Sequence, residues 1–251
     1  MNFPKKPLGG KNYGSIPHLP GSRMGKGDHH CHEGQERIAC AKKRDKHDRV
    51  IVQEKLDGSN VGVALLDRTI YPLVRSGYIA TTSKFEQHRY FAEWVRRNTE
   101  RFRAVLEEGE RVCGEWLIQA HGTKYKLDHE PFVAFDIING NKKRKRYDVF
   151  KERMLKGEFV TPHVVSDGQA ISIEDVMDIL GIYGFHGAID PVEGAVWRIE
   201  RKRKVAPGKT YKMQVMVDFL VKYVRPDKVD GCYLESVTGE GPIYNEYPRI
   251  F

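Results

Sequence analysis

A single lysine interrupts the apolar run of "VIVQEKLDGSNVGVAL", residues 50 to 65, just before Gly58. A lysine amine attacks an electrophile only when neutral, so its ordinary pKa of about 10.4 must be lowered by burial or by neighbouring cations. At the end of a strand, before a turn that glycine permits, Lys55 aims its amine at a pocket rather than at bulk water. Read on "KLDG" alone, the plain alternative is a surface lysine beside an Asp-Gly hairpin turn. Other polar groups recur downstream in strand-like settings. They are Arg75 in "VRSG", Glu115 in "CGEW", Asp136 in "FVAFDI", Glu193 in "EGAVWR" and Lys222 in "FLVKYVR".

The patterning supplies elements to carry these residues. From Val50, "VIVQEKL", "NVGVALL" and "TIYPLVRS" read as three short strands joined by tight turns at Asp57-Gly58 and Asp67-Arg68. Residues 85–107 switch to helical period, with Phe85, Tyr90, Phe91, Trp94, Val95, Phe102, Val105 and Leu106 along one side. Strands return at "RVCGEWLI" and "PFVAFDII", followed by a very basic turn, "GNKKRKRYD", and a helix from Tyr147. "SIEDVMDIL" predicts another helix, with Ser172 as N-cap and acids in its first turn. "EGAVWRIERKRK" and "YKMQVMVDFLVKYVR" read as strands, and the tail from Val229 has no strong pattern. With no repeat or linker, the expectation is an irregular basic arm over residues 1–49, with one short helix near Gln35–Lys43. A single α+β domain built on antiparallel strands follows over residues 50–251.

Lys and Arg outnumber Asp and Glu by 42 to 34, a net charge of +8 that favours polyanionic partners. Hydrophobic content of 40% and charged content of 30% exclude a disordered chain. No apolar run approaches the roughly 20 residues of a membrane span, and no signal-peptide core is present. Cys31, Cys40, Cys113 and Cys232 make no dense disulfide framework, so free thiols in a reducing cytosol are expected. "DHHCHEGQERIAC" offers His29, His30, Cys31, His32 and Cys40 but lacks the spacing of common zinc sites. A phosphate-binding arm using Arg23, Lys26, Arg37 and Lys42 is the more economical reading.

Taken in order, "EKLDGSN", "VRSG", "CGEW", "FVAFDI", "EGAVWR" and "FLVKYVR" resemble the motifs of the covalent nucleotidyltransferases. That superfamily holds ATP-dependent RNA and DNA ligases and mRNA capping enzymes. The "FVAFDI" strand and the glutamate strand are most similar to the RNA ligase branch, especially its short RNA-repair members. The resemblance implies an adenylyltransferase (ATP-grasp-like) domain of antiparallel sheets flanked by helices. The stretch beyond Lys222 is too short for the OB-fold domain of larger relatives. Nucleic acid is then expected to be held by a partner protein or by the arm.

The resemblance also implies roles. Lys55 would attack the α-phosphate of ATP and carry AMP as a phosphoramidate. Glu54 would lie near the base, with its backbone reading adenine, and Asn60 would contact phosphate or ribose. Arg75 would grip the nucleotide and the nucleic acid end, Glu115 the ribose, and Phe132 would stack on the purine. Glu193 is matched to the acid implicated in binding Mg²⁺ or Mn²⁺, and Asp136 is a second candidate for that metal. Lys222 would bind phosphate. The family usually ends its pocket with two lysines one residue apart, whereas here Leu220-Val221-Lys222 provides one, with Lys202 or Lys204 as candidates for the other. Residues Lys142, Lys143, Arg144, Lys145, Arg146 and Arg201–Lys204 are candidates for nucleic acid backbone contacts. The implied function joins 5′-phosphate and 3′-hydroxyl ends of RNA through a lysyl-AMP and an adenylylated strand. DNA or mixed-nick sealing, capping-type transfer and a non-catalytic nucleic-acid-binding module are the alternatives.

Overall fold

Alternating β-branched and aliphatic residues build nine strands in the computed structural model, which describes residues 5–140, 143–205 and 212–248. They are β1 (Asp48–Lys55), β2 (Ser59–Leu66), β3 (Thr69–Val74), β4 (Glu110–Trp116), β5 (Phe132–Asn139), β6 (Lys143–Arg144), β7 (Val164–Asp167), β8 (Gly194–Val205) and β9 (Lys212–Val224). The helices are α1 (Glu33–Glu36), which runs into a π-helical turn at Arg37–Ala41, α2 (Glu86–Arg97), α3 (Thr99–Val105), α4 (Tyr147–Lys156), α5 (Ile173–Leu180) and α6 (Glu235–Thr238). None of the described helices is long and apolar enough to cross a membrane.

The chain divides into two compact units. The first holds Met1–Gly14, Asp57–Thr161 and Gly231–Phe251, and the second holds Ser15–Leu56 and Pro162–Asp230. In the first, an antiparallel sheet runs β3-β2-β4-β5-β6; in the second, another runs β7-β1-β8-β9. The fold is therefore α+β with antiparallel sheets, as expected, and among the described residues neither sheet closes into a barrel. The hairpin expected at Asp57-Gly58 does not form. β1 pairs with β7 and β8, β2 pairs with β3 and β4, and the chain passes between units at Leu56–Asp57. The turn at Asp67-Arg68 does form. Both residues have positive φ (49° and 62°), and Glu108 accepts both their N–H groups (2.5 and 3.1 Å), offsetting the cost of that backbone in non-glycine residues.

In the first unit, α2 and α3 cover one face of the sheet with rings. Phe132 is fully buried, its centroid 5.3 Å from Trp94, 5.8 Å from Phe91 and 5.9 Å from Phe102. The single helix expected over 85–107 breaks at Asn98, whose side-chain amide donates to Trp94 O (2.8 Å), while Thr99 Oγ1 donates to Arg96 O (3.0 Å). Phe85 and Tyr90 lie outside this core, 53% and 42% exposed, because Phe85 caps α2 from outside its first turn.

The second unit's core joins Val50 and Val52 of β1 to Trp197, Ile199 and Val221, with Val176 and Leu180 of α5 above them. Ser172 caps α5 as its sequence predicts, accepting the Asp175 N–H (3.0 Å). The arm is built into both units: Tyr13 is buried in the first, while Leu19, Ile38 and Ala39 enter the core of the second. β7, four residues with one apolar pair, is too short for periodicity to reveal, and β6 arises inside the expected basic turn.

Truncating Phe132 to alanine would remove the ring at the centre of the aromatic cluster. The expected loss is about 3–5 kcal/mol of unfolding free energy, read as a lower denaturation midpoint. A midpoint equal to wild type would contradict this packing.

Candidate functional site

In the second unit, register decides which side chains meet. Lys55 faces Gly194 across β1 and β8, and Gln53 faces Val196, which in turn faces Lys222 on β9. Directly paired residues share a face, so Lys55 and Lys222 project from the same side of the sheet, opposite to the Val52–Trp197 core. Lys55 forms an ion pair with Glu193, which is itself buried; the Lys55 side chain is 22% exposed. Glu193 stands immediately before Gly194, where φ is 154° and an added Cβ would lie 2.0 Å from the Tyr223 carbonyl oxygen. Only glycine fits there, so β8 begins at a point that brings Glu193 to Lys55.

Glu54 points the other way. Its carboxylate is buried beneath Gly184 and Phe185 and accepts the Phe185 N–H (3.0 Å), while its own N–H donates to His163 O (2.9 Å). Both groups are committed within the fold. Burial pushes its carboxyl up to about 7, against the opposing Phe185 N–H.

In the first unit, Asn60 on β2 faces Glu115 on β4, and their side chains share one face of the sheet. Glu115 Oε1 accepts the Gly58 N–H (3.2 Å), and Asp57 Oδ2 accepts the Gly122 N–H (2.9 Å), which together hold the "LDGS" turn. Asn60 Oδ1 is buried and has no hydrogen-bond partner among the described residues. Arg75 is exposed just past β3. The following turn needs Gly77 (φ 86°), where a Cβ would lie 1.9 Å from the Gly10 carbonyl oxygen. His88 went unnoticed in the sequence because its partners are distant or weakly patterned. Its ring lies between Ser59 Oγ and Ser83 Oγ (2.7 Å each), and burial, then His121, lowers it to about 4, keeping it neutral.

Two expected site residues are corrected. Phe132 faces Trp116, so it projects from the face opposite to Glu115 and is sealed in the aromatic cluster; it has no surface on which a base could stack. The other aromatic of that strand is Phe135, half-buried at a bulge between the Gly114–Ala134 and Cys113–Asp136 pairs and edge-on to Tyr13 (5.1 Å). Its signal in the sequence was the Phe-Asp step of "FVAFDI". Asp136 is fully buried, bound by Arg144 Nε (2.7 Å) and the Tyr13 hydroxyl (3.3 Å), and those partners take the place of a metal. No cluster of three or more metal-binding side chains occurs among the described residues.

Charge runs are also less available than their composition implies. Arg144 pairs with Asp136, Lys145 with Glu110 (2.5 Å), Arg201 with Asp45 and Asp48 (2.7 Å each), and Arg203 with Asp218. Lys142 lies outside the described residues.

A family model described as RNA ligase matches residues 48–224, from β1 to the end of β9. An apo variant of Naegleria gruberi RNA ligase is similar in fold at 14% identity and a TM-score of 0.51, over 96% of this chain and 64% of that one. Another variant of that ligase, solved with AMP and Mn, gives 14% identity and a TM-score of 0.50 over 88% and 61% of the two chains. An archaeal ATP-dependent RNA ligase gives 19% and 0.46 over 71% and 43%. The chain thus spans less than two thirds of the length of each. No curated protein matches its sequence.

Because Glu54 ordinarily titrates at 4.5 but here near 7, the folded state holds a proton that the unfolded chain has lost. Stability should therefore fall as pH rises from about 4.5 to about 7, and Glu54→Gln should flatten that part of a pH series of denaturation midpoints. An unchanged slope in the variant would contradict the burial of Glu54.

Proposed function

The chain belongs to the RNA ligase family, and we propose that it joins a 5′-phosphate to a 3′-hydroxyl of RNA through AMP carried on Lys55. The observation that carries this reading is Lys55 at the end of β1, paired with Glu193 and on the same sheet face as Lys222. A nucleophilic amine, a carboxylate in contact with it and a second cation make a plausible set for attack on an anionic phosphate.

In the first step, neutral Lys55 attacks the α-phosphate of ATP; a phosphorus–nitrogen bond forms and pyrophosphate leaves. Lys222 offsets phosphate charge. In the second, the RNA 5′-phosphate attacks the AMP phosphorus and Lys55 leaves as the free amine. In the third, the 3′-hydroxyl attacks the activated 5′-phosphate, a phosphodiester forms and AMP departs. Dividing one condensation this way is the usual gain from a covalent intermediate. Glu193, a carboxylate in contact with the nucleophile, fits a divalent cation, whereas Asp136 is committed to Arg144. Mg²⁺ or Mn²⁺ held by Glu193 would offset charge at the α-phosphate.

In the first unit, the Glu115 carboxylate and the Asn60 side chain, which share one face of the sheet, are suited to the hydroxyl donors of a ribose, and Arg75 to the nucleic acid end. Phe135 takes over the stacking role that the sequence suggested for Phe132. Residues 50–251 would act as the catalytic domain and residues 1–49 as its arm. Four free thiols are consistent with a reducing compartment such as the cytosol, where such an enzyme would repair broken RNA.

Intact mass after incubation with ATP and Mg²⁺ tests the reading. Wild type should gain about 329 Da, the mass of AMP joined through an amine, and Lys55→Ala should gain nothing. An absent adduct in wild type, after any bound AMP is stripped and GTP is also tried, would sink the covalent mechanism. Phe135→Ala should raise the ATP concentration needed for half-maximal labelling while lowering the denaturation midpoint less than Phe132→Ala does, because its ring is only half-buried.

A further inference from the structure

Folding commits the arginines around the start of β1 to carboxylates. Arg44 pairs with Asp48 (2.7 Å) and Asp218 (2.6 Å), Arg49 with Asp167 (2.7 Å), and Arg201 with Asp45 and Asp48 (2.7 Å each). The lysines of the same stretch are left with their charge. Lys42 and Lys46 are exposed, and no carboxylate pairs with either among the described residues. Lys43 Nζ donates to the Gly168 carbonyl oxygen (2.9 Å), a neutral partner that fixes the amine without matching its charge.

All three lysines line one open cavity of about 310 Å³ in the second unit, together with Asp45 and with Gln169 from the connection between β7 and α5. Backbone hydrogen bonds tie its two sides together. Ile171 N–H donates to Ala39 O (3.2 Å), Gly168 N–H to Val50 O (2.7 Å), and Lys42 N–H closes the π-helical turn on Arg37 O (2.8 Å). Asp45 does not cancel the lysines. Its carboxylate accepts two hydrogen bonds from Arg201 (2.7 and 3.1 Å) and one from the His47 N–H (2.8 Å). Lys202 N–H donates to His47 O (3.0 Å), which sets a further exposed lysine of β8 beside the same loop. The cavity is therefore the place in this unit where unmatched positive charge converges. Of the four cations that the sequence suggested for a phosphate-binding arm, only Lys42 lines it.

We propose that the cavity of Lys42, Lys43 and Lys46 is a second anion site, which holds the phosphodiester backbone of an RNA strand away from its reacting end. Lysine amines are compact point charges that attract phosphate oxygens without demanding one orientation. Contacts of that kind fix the position of a strand and carry no sequence preference. β1 begins beside this loop and ends at Lys55. Seven residue steps of about 3.3 Å separate its ends by roughly 23 Å, so the site anchors the strand several nucleotides from the nucleophile. The inference takes RNA as its polyanion from the ligase reading.

The test is binding of single-stranded, 5′-phosphorylated RNA, read by fluorescence anisotropy over a salt series. It compares Lys42→Gln/Lys46→Gln with Lys151→Gln/Lys156→Gln, an equal loss of charge at exposed positions of α4. The cavity pair should weaken binding roughly tenfold near physiological salt and reduce the slope of log K on log salt by about 1.4, about 0.7 for each lost contact. Its denaturation midpoint and its rate of Lys55 adenylylation with ATP alone should match wild type. The α4 pair should keep the wild-type slope. Equal effects of the two pairs, or an unchanged slope in the cavity pair, would overturn the inference. Calorimetric binding of inorganic phosphate that the cavity pair abolishes, with RNA affinity unchanged, would mark a site for free phosphate and overturn it as well. A wild type that binds RNA as expected but forms no Lys55 adduct would remove the ligase mechanism and leave this site standing.

Discussion

Lys55 faces Gly194, and this one pairing governs which side chains meet in the second unit. Because strand side chains alternate, a slip of one residue would turn Lys55 into the Val52–Trp197 core and bring Glu54 out in its place. The register is held by the apolar positions of β1 and β8, whose burial would be lost by such a slip. It is also held by the glycine at 194, which no larger residue can replace without meeting Tyr223. Adjacent residues thus acquire opposite fates. Glu54 becomes a buried group with a raised pKa, and Lys55 an amine paired with Glu193.

The first unit follows the same rule with one interruption. Trp116 and Phe132 share the helix-covered face, which leaves Glu115 and Asn60 on the other. The bulge in β5 adds a residue to the strand, leaving Phe135 unpaired and setting Asp136 opposite Cys113. Bulges re-aim side chains in this way at the cost of regular pairing. Here one ring is left half-buried, and one acid is closed under Tyr13 and Arg144.

Electrostatics show why counting charges misleads. The net charge of +8 favoured a polyanionic partner, and the basic runs near Lys143 and Arg201 were natural places to expect it. Folding brings Asp45, Asp48, Glu110, Asp136 and Asp218 to those same runs. These acids are distant in sequence from most of the cations they meet, so neither a charge window nor a composition could have revealed the pairing.

By itself the sequence determined the local features. The alternation of β1 through β5, the Ser172 cap, the Asp67-Arg68 turn and the ordered motifs from Lys55 to Lys222 all depend on neighbours within a few residues. The RNA ligase family was legible for the same reason. Tertiary structure decided which sheet each strand joined, which of Phe132 and Phe135 was sealed in the core, which cations were already neutralised, and that the arm would lie along β9 at Lys222. Alternation defines the two faces of a strand, but it carries no information about which strand, helix or acid will be packed against each face.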